Sequence, residues 1–273
     1  MSALQGTPMP LPDGTAREAL VYTPEPPLRA IAVVFHPLGD FGPGSVIDGE
    51  PAGTRLIRPI EGMRAAADAF GLVIVAPFGR GRAGVEGVSL AWQPHLRGGL
   101  ALARDLRRDV GNLPIVSGGL SQGGLEALAL ASLEPDEVQR VWAVNPLVDL
   151  ARVLAARKAR RDAGTASAND LALINELDGD PSFEERSPLA HLDALARVGR
   201  ILLVWSPDDT VVEDPTAHGG RLAAELRRRG ARIDERRVTF VPERGDLDAG
   251  RFAHESCDVW AGAAFLAGVA GTR

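Results

Sequence analysis

A chain of 273 residues with 45% hydrophobic and 24% charged side chains can bury a full core, and one α/β domain accounts for its length. The formal net charge of -6 at pH 7 argues against a nucleic-acid or anionic-membrane partner. The single cysteine, Cys257, excludes an internal disulfide framework and a Cys-rich metal site, and it fits a reducing, cytoplasmic setting.

In chain order, the first stretch, M-S-A-L-Q-G-T-P-M-P, has neither the basic nor the apolar region of a secretory signal. Residues 1–15, rich in Pro and Gly, are expected to wrap the surface. Strands are expected at Ala16–Tyr22 and Ala30–Phe35, the second apolar throughout, as in a strand buried on both faces. It ends in His36-Pro37-Leu38-Gly39, and a Gly/Pro-rich loop follows to about residue 57. Helical spacing from Pro59 to Phe70 stops at Gly71, and Leu72–Pro77 reads as another buried strand. Gly79-Arg80-Gly81-Arg82-Ala83-Gly84 is formally a dinucleotide-binding G-x-G-x-x-G. That fingerprint needs a helix opening on its glycines, and no helix-forming run is expected before Leu100. The segment reads instead as a Gly-rich loop at a site mouth, with Arg80 and Arg82 placed to meet a substrate carboxylate; His36 and Trp92 join them as candidate substrate-binding residues. The basic clusters Arg104–Arg108 and Arg157–Arg161 read as solvated helix faces.

After an amphipathic helix at Leu100–Val110 comes L-P-I-V-S-G-G-L-S-Q-G-G-L-E-A-L-A-L-A, Leu113 to Ala131. Four apolar or small residues run into Gly119-Leu120-Ser121-Gln122-Gly123, a G-x-S-x-G, and an Ala/Leu-rich helix follows at once. Strand, sharp turn and helix lift the Ser121 hydroxyl off the strand end and aim the helix's free N–H groups at an anion forming there. Downstream, strands are expected at Val138–Asn145, Ile201–Trp205 and Arg236–Val241. Helices are expected at Val148–Arg161, Asn169–Leu177, Thr216–Arg229 and Glu255–Val269. This alternation predicts a mostly parallel sheet with its ligand site at the carboxyl ends of the strands, and the strandless insertion from Leu147 to Arg186 would lie over them as a lid.

A serine nucleophile needs a base, and the base an orienting carboxylate. Three histidines follow Ser121. His191 precedes a strand and His218 lies inside a helix, both expected at a surface or helix face. His254 follows the last strand and opens the final helix, where the base of such a sheet belongs. For the acid, Ser206-Pro207-Asp208-Asp209-Thr210-Val211-Val212 offers Asp208 and Asp209.

The order Ser121, Asp209, His254 resembles the α/β-hydrolase superfamily over nearly the whole chain. The superfamily's G-x-x-D-x-x-V after the acid strand matches residues 206–212 with Ser206 in place of the glycine, which selects Asp209. A-V-N-P-L-V-D-L at 143–150, E-R-S-P-L at 185–189 and R-L-A-A-E-L-R-R-R-G at 221–230 resemble the catalytic domain of the prolyl oligopeptidase and acylaminoacyl peptidase group. Small esterases of the dienelactone hydrolase and feruloyl esterase kind are equally near. The resemblance implies a single α/β-hydrolase domain over 1–273, with a mostly parallel central sheet, helices on both faces and a short helical lid at about 147–186. It also implies a serine hydrolase acting on a small acyl substrate without cofactor or metal. Because Pro37 removes one backbone N–H, the oxyanion hole is expected at the N–H groups of Leu38 and Gln122. Tyr22, the only tyrosine, lies too far upstream to donate a phenol there. Without an accessory domain, small carboxylic esters are the expected substrates; a peptidase or thioesterase with the same triad, or a binding protein on a disabled hydrolase fold, are the alternatives.

Overall fold

The computed structural model describes residues 3–12, 14, 16–36, 46–47, 50–51, 63–78, 90–239 and 258–269. Among the described residues, ten strands run β1 Ala3–Pro10, β2 Ala16–Thr23, β3 Ala30–Phe35, β4 Val46–Ile47, β5 Glu50–Pro51, β6 Leu72–Pro77, β7 Ile115–Leu120, β8 Val138–Val144, β9 Arg200–Trp205 and β10 Ile233–Arg237. The α-helices are α1 Met63–Phe70, α2 Gln93–Val110, α3 Gln122–Leu133, α4 Leu150–Asp162, α5 Ala168–Asp178, α6 Leu192–Arg197, α7 Arg221–Arg228 and α8 Val259–Leu266. Eight strands form one sheet in the order β1-β2-β6-β3-β7-β8-β9-β10. In that order every pairing from β6 to β10 is parallel, and β2 pairs antiparallel with both of its neighbours, β1 and β6.

The alternation of side chains along a strand builds two cores on this sheet. In β3, Ile31, Val33 and Phe35 join the cluster under α2, α3, α6 and α7, while Ala30, Ala32 and Val34 join the one under α1 and α8. Because both faces are covered, the central strands are apolar throughout, as the sequence of β3 and β6 predicts. α3 is buried from Gln122 to Ser132, wedged between sheet and helices, and Ser117 in β7 donates its hydroxyl to Ala127 O at 3.0 Å across that contact.

Several expectations need correction. Residues 3–10 do not merely wrap the surface; they form the edge strand β1. Pro8 and Pro10 are tolerated there because an edge strand leaves alternate N–H groups unpaired. α2 opens at Gln93 rather than Leu100. Pro94 sits in the first turn, where a missing N–H costs nothing. Gly98 and Gly99 are close-approach positions: a Cβ on Gly99 would lie 2.8 Å from Pro77 Cγ, and one on Gly98 2.9 Å from Leu11 Cδ2. β10 begins at Ile233, earlier than the expected Arg236, and the segment expected as a helix from Thr216 opens with a π-turn over Thr216–Gly220 before α7.

Between β8 and β9, α4 and α5 send Val153, Leu154, Leu173, Ile174 and Leu177 into the same cluster as α2 and α3. Arg157, expected as part of a solvated face, is instead buried between Glu213 at 2.7 Å and Asp170 at 3.1 Å. Arg160 also reaches both acids. His218, expected at a surface, is buried and accepts the Val148 N–H on Nδ1 at 3.1 Å, and that burial lowers its pKa.

Candidate active site

β7 hands over to α3 at Ser121, whose φ of 58° and ψ of -118° lie outside the regions open to ordinary L residues. Such a backbone costs roughly 1–3 kcal/mol and persists only where its surroundings over-determine it. Here they do. The Ser121 N–H donates to Val144 O at 2.8 Å, and the Ser121 carbonyl accepts from the Leu125 N–H at 3.1 Å. A Cβ on Gly119 would stand 2.3 Å from the Gly123 carbonyl carbon, and one on Gly123 would stand 2.2 Å from Phe35 O. The first glycine therefore lets the turn fold onto itself, and the second seats the helix on the end of β3. Ser121 keeps 7% of its surface.

The two acid candidates, Asp208 and Asp209, follow the next two strands. β8 is followed by Asn145, held at φ 41°, whose N–H donates to Val204 O at 2.8 Å and whose Oδ1 accepts from the Ser206 N–H at 2.9 Å. Ser206, standing where the resemblance has glycine, accepts the Asp208 N–H on its Oγ at 3.2 Å, so the substitution closes the turn rather than opening it. The following residue is the buried one. Asp209 Oδ1 accepts the N–H groups of Val211 at 2.8 Å and Val212 at 3.0 Å. Asp208 is exposed.

Of the other site residues expected from sequence, His36 is buried at the end of β3 and Gln122 opens α3, also buried. Trp92 is the N-cap residue of α2, half-buried, with the Arg17 guanidinium 5.4 Å from its ring centre. Tyr22 is buried away from this end and donates its phenol to Asp68 Oδ1 at 2.7 Å. His254, Leu38, Arg80, Arg82 and the G-x-G-x-x-G lie outside the described residues.

Two residues that sequence reasoning missed stand beside this turn. Gln122 Nε2 donates to Glu126 Oε1 at 3.3 Å, one helical turn on. Fully buried His95, in the first turn of α2, presents its ring edge-on to Phe35 at 5.6 Å. Its Nε2 lies 3.9 Å from Glu126 Oε2. Burial, then the nearby Arg17 charge, push the His95 pKa down to about 3, so the imidazole is neutral and this contact is not an ion pair. The available signal was a lone acid in the otherwise apolar run of α3. Among the described residues, no group of three or more His, Cys, Asp or Glu could hold a metal ion, and no helix is long and apolar enough to cross a membrane.

No protein-family model matches the sequence, and neither does any curated protein. Solved structures do. A Pyrobaculum calidifontis esterase aligns over 97% of this chain and 85% of its own, with a TM-score of 0.64 at 19% identity. The carboxylesterase EstE1, from a metagenomic library, gives 0.67 at 17% identity over 97% and 88%. The fold is that of the α/β-hydrolases. Within it, the fluorophosphonate-binding serine hydrolase FphF of Staphylococcus aureus aligns over 97% of this chain and 98% of its own, with a TM-score of 0.62 at 14% identity. Against the Pyrococcus horikoshii acylaminoacyl peptidase the TM-score is 0.60 at 15% identity, and 92% of this chain covers 39% of that one.

Proposed function

We propose that this chain is a serine hydrolase that cleaves small carboxylic esters through an acyl-enzyme on Ser121. The observation that carries the proposal is the strained backbone of Ser121, held at φ 58° between β7 and α3 by the close approaches at Gly119 and Gly123. Ser121 Oγ attacks the ester carbonyl while His254 takes its proton. The carbonyl π electrons move onto oxygen, which the N–H groups of Gln122 and Leu38 stabilise. On collapse the C–O bond breaks, and the alkoxide leaves with the proton from His254. Water, deprotonated by His254, then attacks the acyl-enzyme and releases the acid. Asp209 orients the imidazole. Its Oδ1 accepts two backbone N–H groups, which restrain the orientation of the carboxylate.

Esters are favoured over amides because an alkoxide departs more readily than an amide nitrogen, which must first be protonated. The helices α4 and α5 act as the lid of a compact acyl pocket. Esterase neighbours whose chains this one nearly spans support that choice; the peptidase neighbour is more than twice as long. The test has two stages. A fluorophosphonate probe should label wild type and not Ser121→Ala; absence of labelling would indicate a binding protein on this fold. Matched p-nitrophenyl acyl esters and aminoacyl p-nitroanilides then rank the substrates, and a higher kcat/KM on an anilide than on its ester would make the chain a peptidase.

A further inference from the structure

We infer that Glu126 is a positioning residue for the oxyanion donor, acting through the side chain of Gln122, a role that presupposes the hydrolase assignment above. An oxyanion donor works only when its N–H is fixed where charge will develop, because a donor that must reorganise during the reaction gives back what it stabilises. The Gln122 N–H belongs to the peptide following a strained residue, so the relaxation of Ser121 and the misdirection of that N–H are the same motion. Backbone contacts restrain this peptide and its neighbours: the Leu125 N–H to Ser121 O bond on the peptide itself, the Ser121 N–H to Val144 O bond before it, and the seat of Gly123 on Phe35 O after it. To these the side chains add a latch, from Gln122 Nε2 to Glu126 Oε1.

Gln122 and Glu126 lie four residues apart, on one face of α3, so the amide and the carboxylate meet without leaving the helix. Both are sealed from water, at 1% and 0% exposed, where a hydrogen bond to a carboxylate is stronger than at a surface. Gln122 Oε1 finds no hydrogen-bond partner among the described residues, so the bond through Nε2 is the one that fixes the amide. Across the gap, the neutral ring of His95, clamped edge-on by Phe35, lies 3.9 Å from Glu126 Oε2 and blocks the carboxylate from swinging toward α2. The entry to α2 is itself constrained, with buried Leu90 and Ala91 at φ 29° and 57°. An acid in the interior of an apolar helix is costly unless it does something there. In this structure it holds the residue adjoining the nucleophile.

The test uses the second-order rate of fluorophosphonate labelling at Ser121, which reports the oxyanion site without a known substrate. Glu126→Leu should slow labelling roughly 10–100-fold, less than the loss of an oxyanion donor outright, and Glu126→Gln, which keeps an acceptor, should recover most of that loss. Gln122→Leu, which keeps its backbone N–H, should show a similar loss, and the double replacement should be no slower than either single one. On a p-nitrophenyl ester the loss should fall on kcat with KM little changed. If Glu126→Leu does not fold, Gln122→Leu decides alone. Wild-type labelling rates in Gln122→Leu, or losses that multiply in the double variant, would overturn the inference while leaving the hydrolase assignment standing. A wild-type protein labelled no faster than Ser121→Ala would sink both.

Discussion

Replacing His95 with asparagine should change how stability depends on pH, and the size of the change follows from burial. The folded protein holds this imidazole neutral down to about pH 3, whereas in the unfolded chain it gains a proton near pH 6.5. Its folded pKa is depressed, so the unfolded state binds the extra proton across that window. The contribution is therefore complete above pH 6.5 and is lost as pH falls toward 3, at about 1.4 kcal/mol per pH unit. By pH 4.5 roughly 2–3 kcal/mol has gone, worth on the order of 5–10 °C in Tm for a chain of this size. His95→Asn has no such proton to refuse. At pH 7.5 it should melt below wild type, having lost the contact with Phe35, and the gap should shrink and then reverse as pH falls to 4.5. Paired thermal melts at four pH values read this directly, and carboxylates common to both proteins cancel in the difference. A gap that stays constant between pH 7.5 and 4.5 would refute the account of a buried neutral imidazole.

Ser121→Ala, His254→Ala and the double replacement should leave similar residual ester hydrolysis, since the two groups act in one transition state; multiplied losses would count against the triad. Asp209→Asn should fold and lose about 10⁴ in kcat, while exposed Asp208→Asn should change it little, and the reverse result would move the acid by one residue. Gly123→Ala should abolish fluorophosphonate labelling, because its Cβ would lie 2.2 Å from Phe35 O, a backbone atom that cannot step aside. Arg157→Met should cost roughly 3–5 kcal/mol in chemical denaturation by stranding Asp170 and Glu213; a loss under 1 kcal/mol would mean that Arg160 alone neutralises them.

Where burial and chemistry leave the same mark, the sequence is easy to read. β3 and β6 are apolar on both faces and were expected at their observed bounds, and the elbow at Ser121 follows from two glycines that no side chain can replace. Other elements hide their physics. β1 carries Gly and Pro that an edge strand tolerates and a loop prefers, so pattern alone reads it as loop. The start of α2 was obscured by Gly98 and Gly99, which look like helix breakers until Pro77 and Leu11 are seen against them. β10 reads I-D-E-R-R because it is the last strand of the sheet and half-exposed, so its hydrophobic signal is weak. Arg157 and His218 were taken for surface groups because their partners, Glu213 and the Val148 N–H, lie 56 and 70 residues away. The motif selects Asp209 over Asp208 as the acid candidate, and of the two it is Asp209 that is buried and accepts the N–H groups of Val211 and Val212.

The burial of α3 from Gln122 to Ser132 also limits how such a protein can evolve. Most surface helices offer a wet side on which neutral substitutions accumulate and later become raw material for new specificity. This helix has none. Each of its positions is fixed by neighbours on the sheet or on adjoining helices, so a change that enlarges one side chain must be matched by a second change elsewhere. Under the proposed function, variation in substrate choice is thereby pushed off the helix that follows Ser121 and onto segments joining the strands. For engineering, libraries aimed at α3 should return mostly unfolded variants, whereas libraries confined to the connections after β3, β6 and β10 should return folded proteins with altered acyl-group preference.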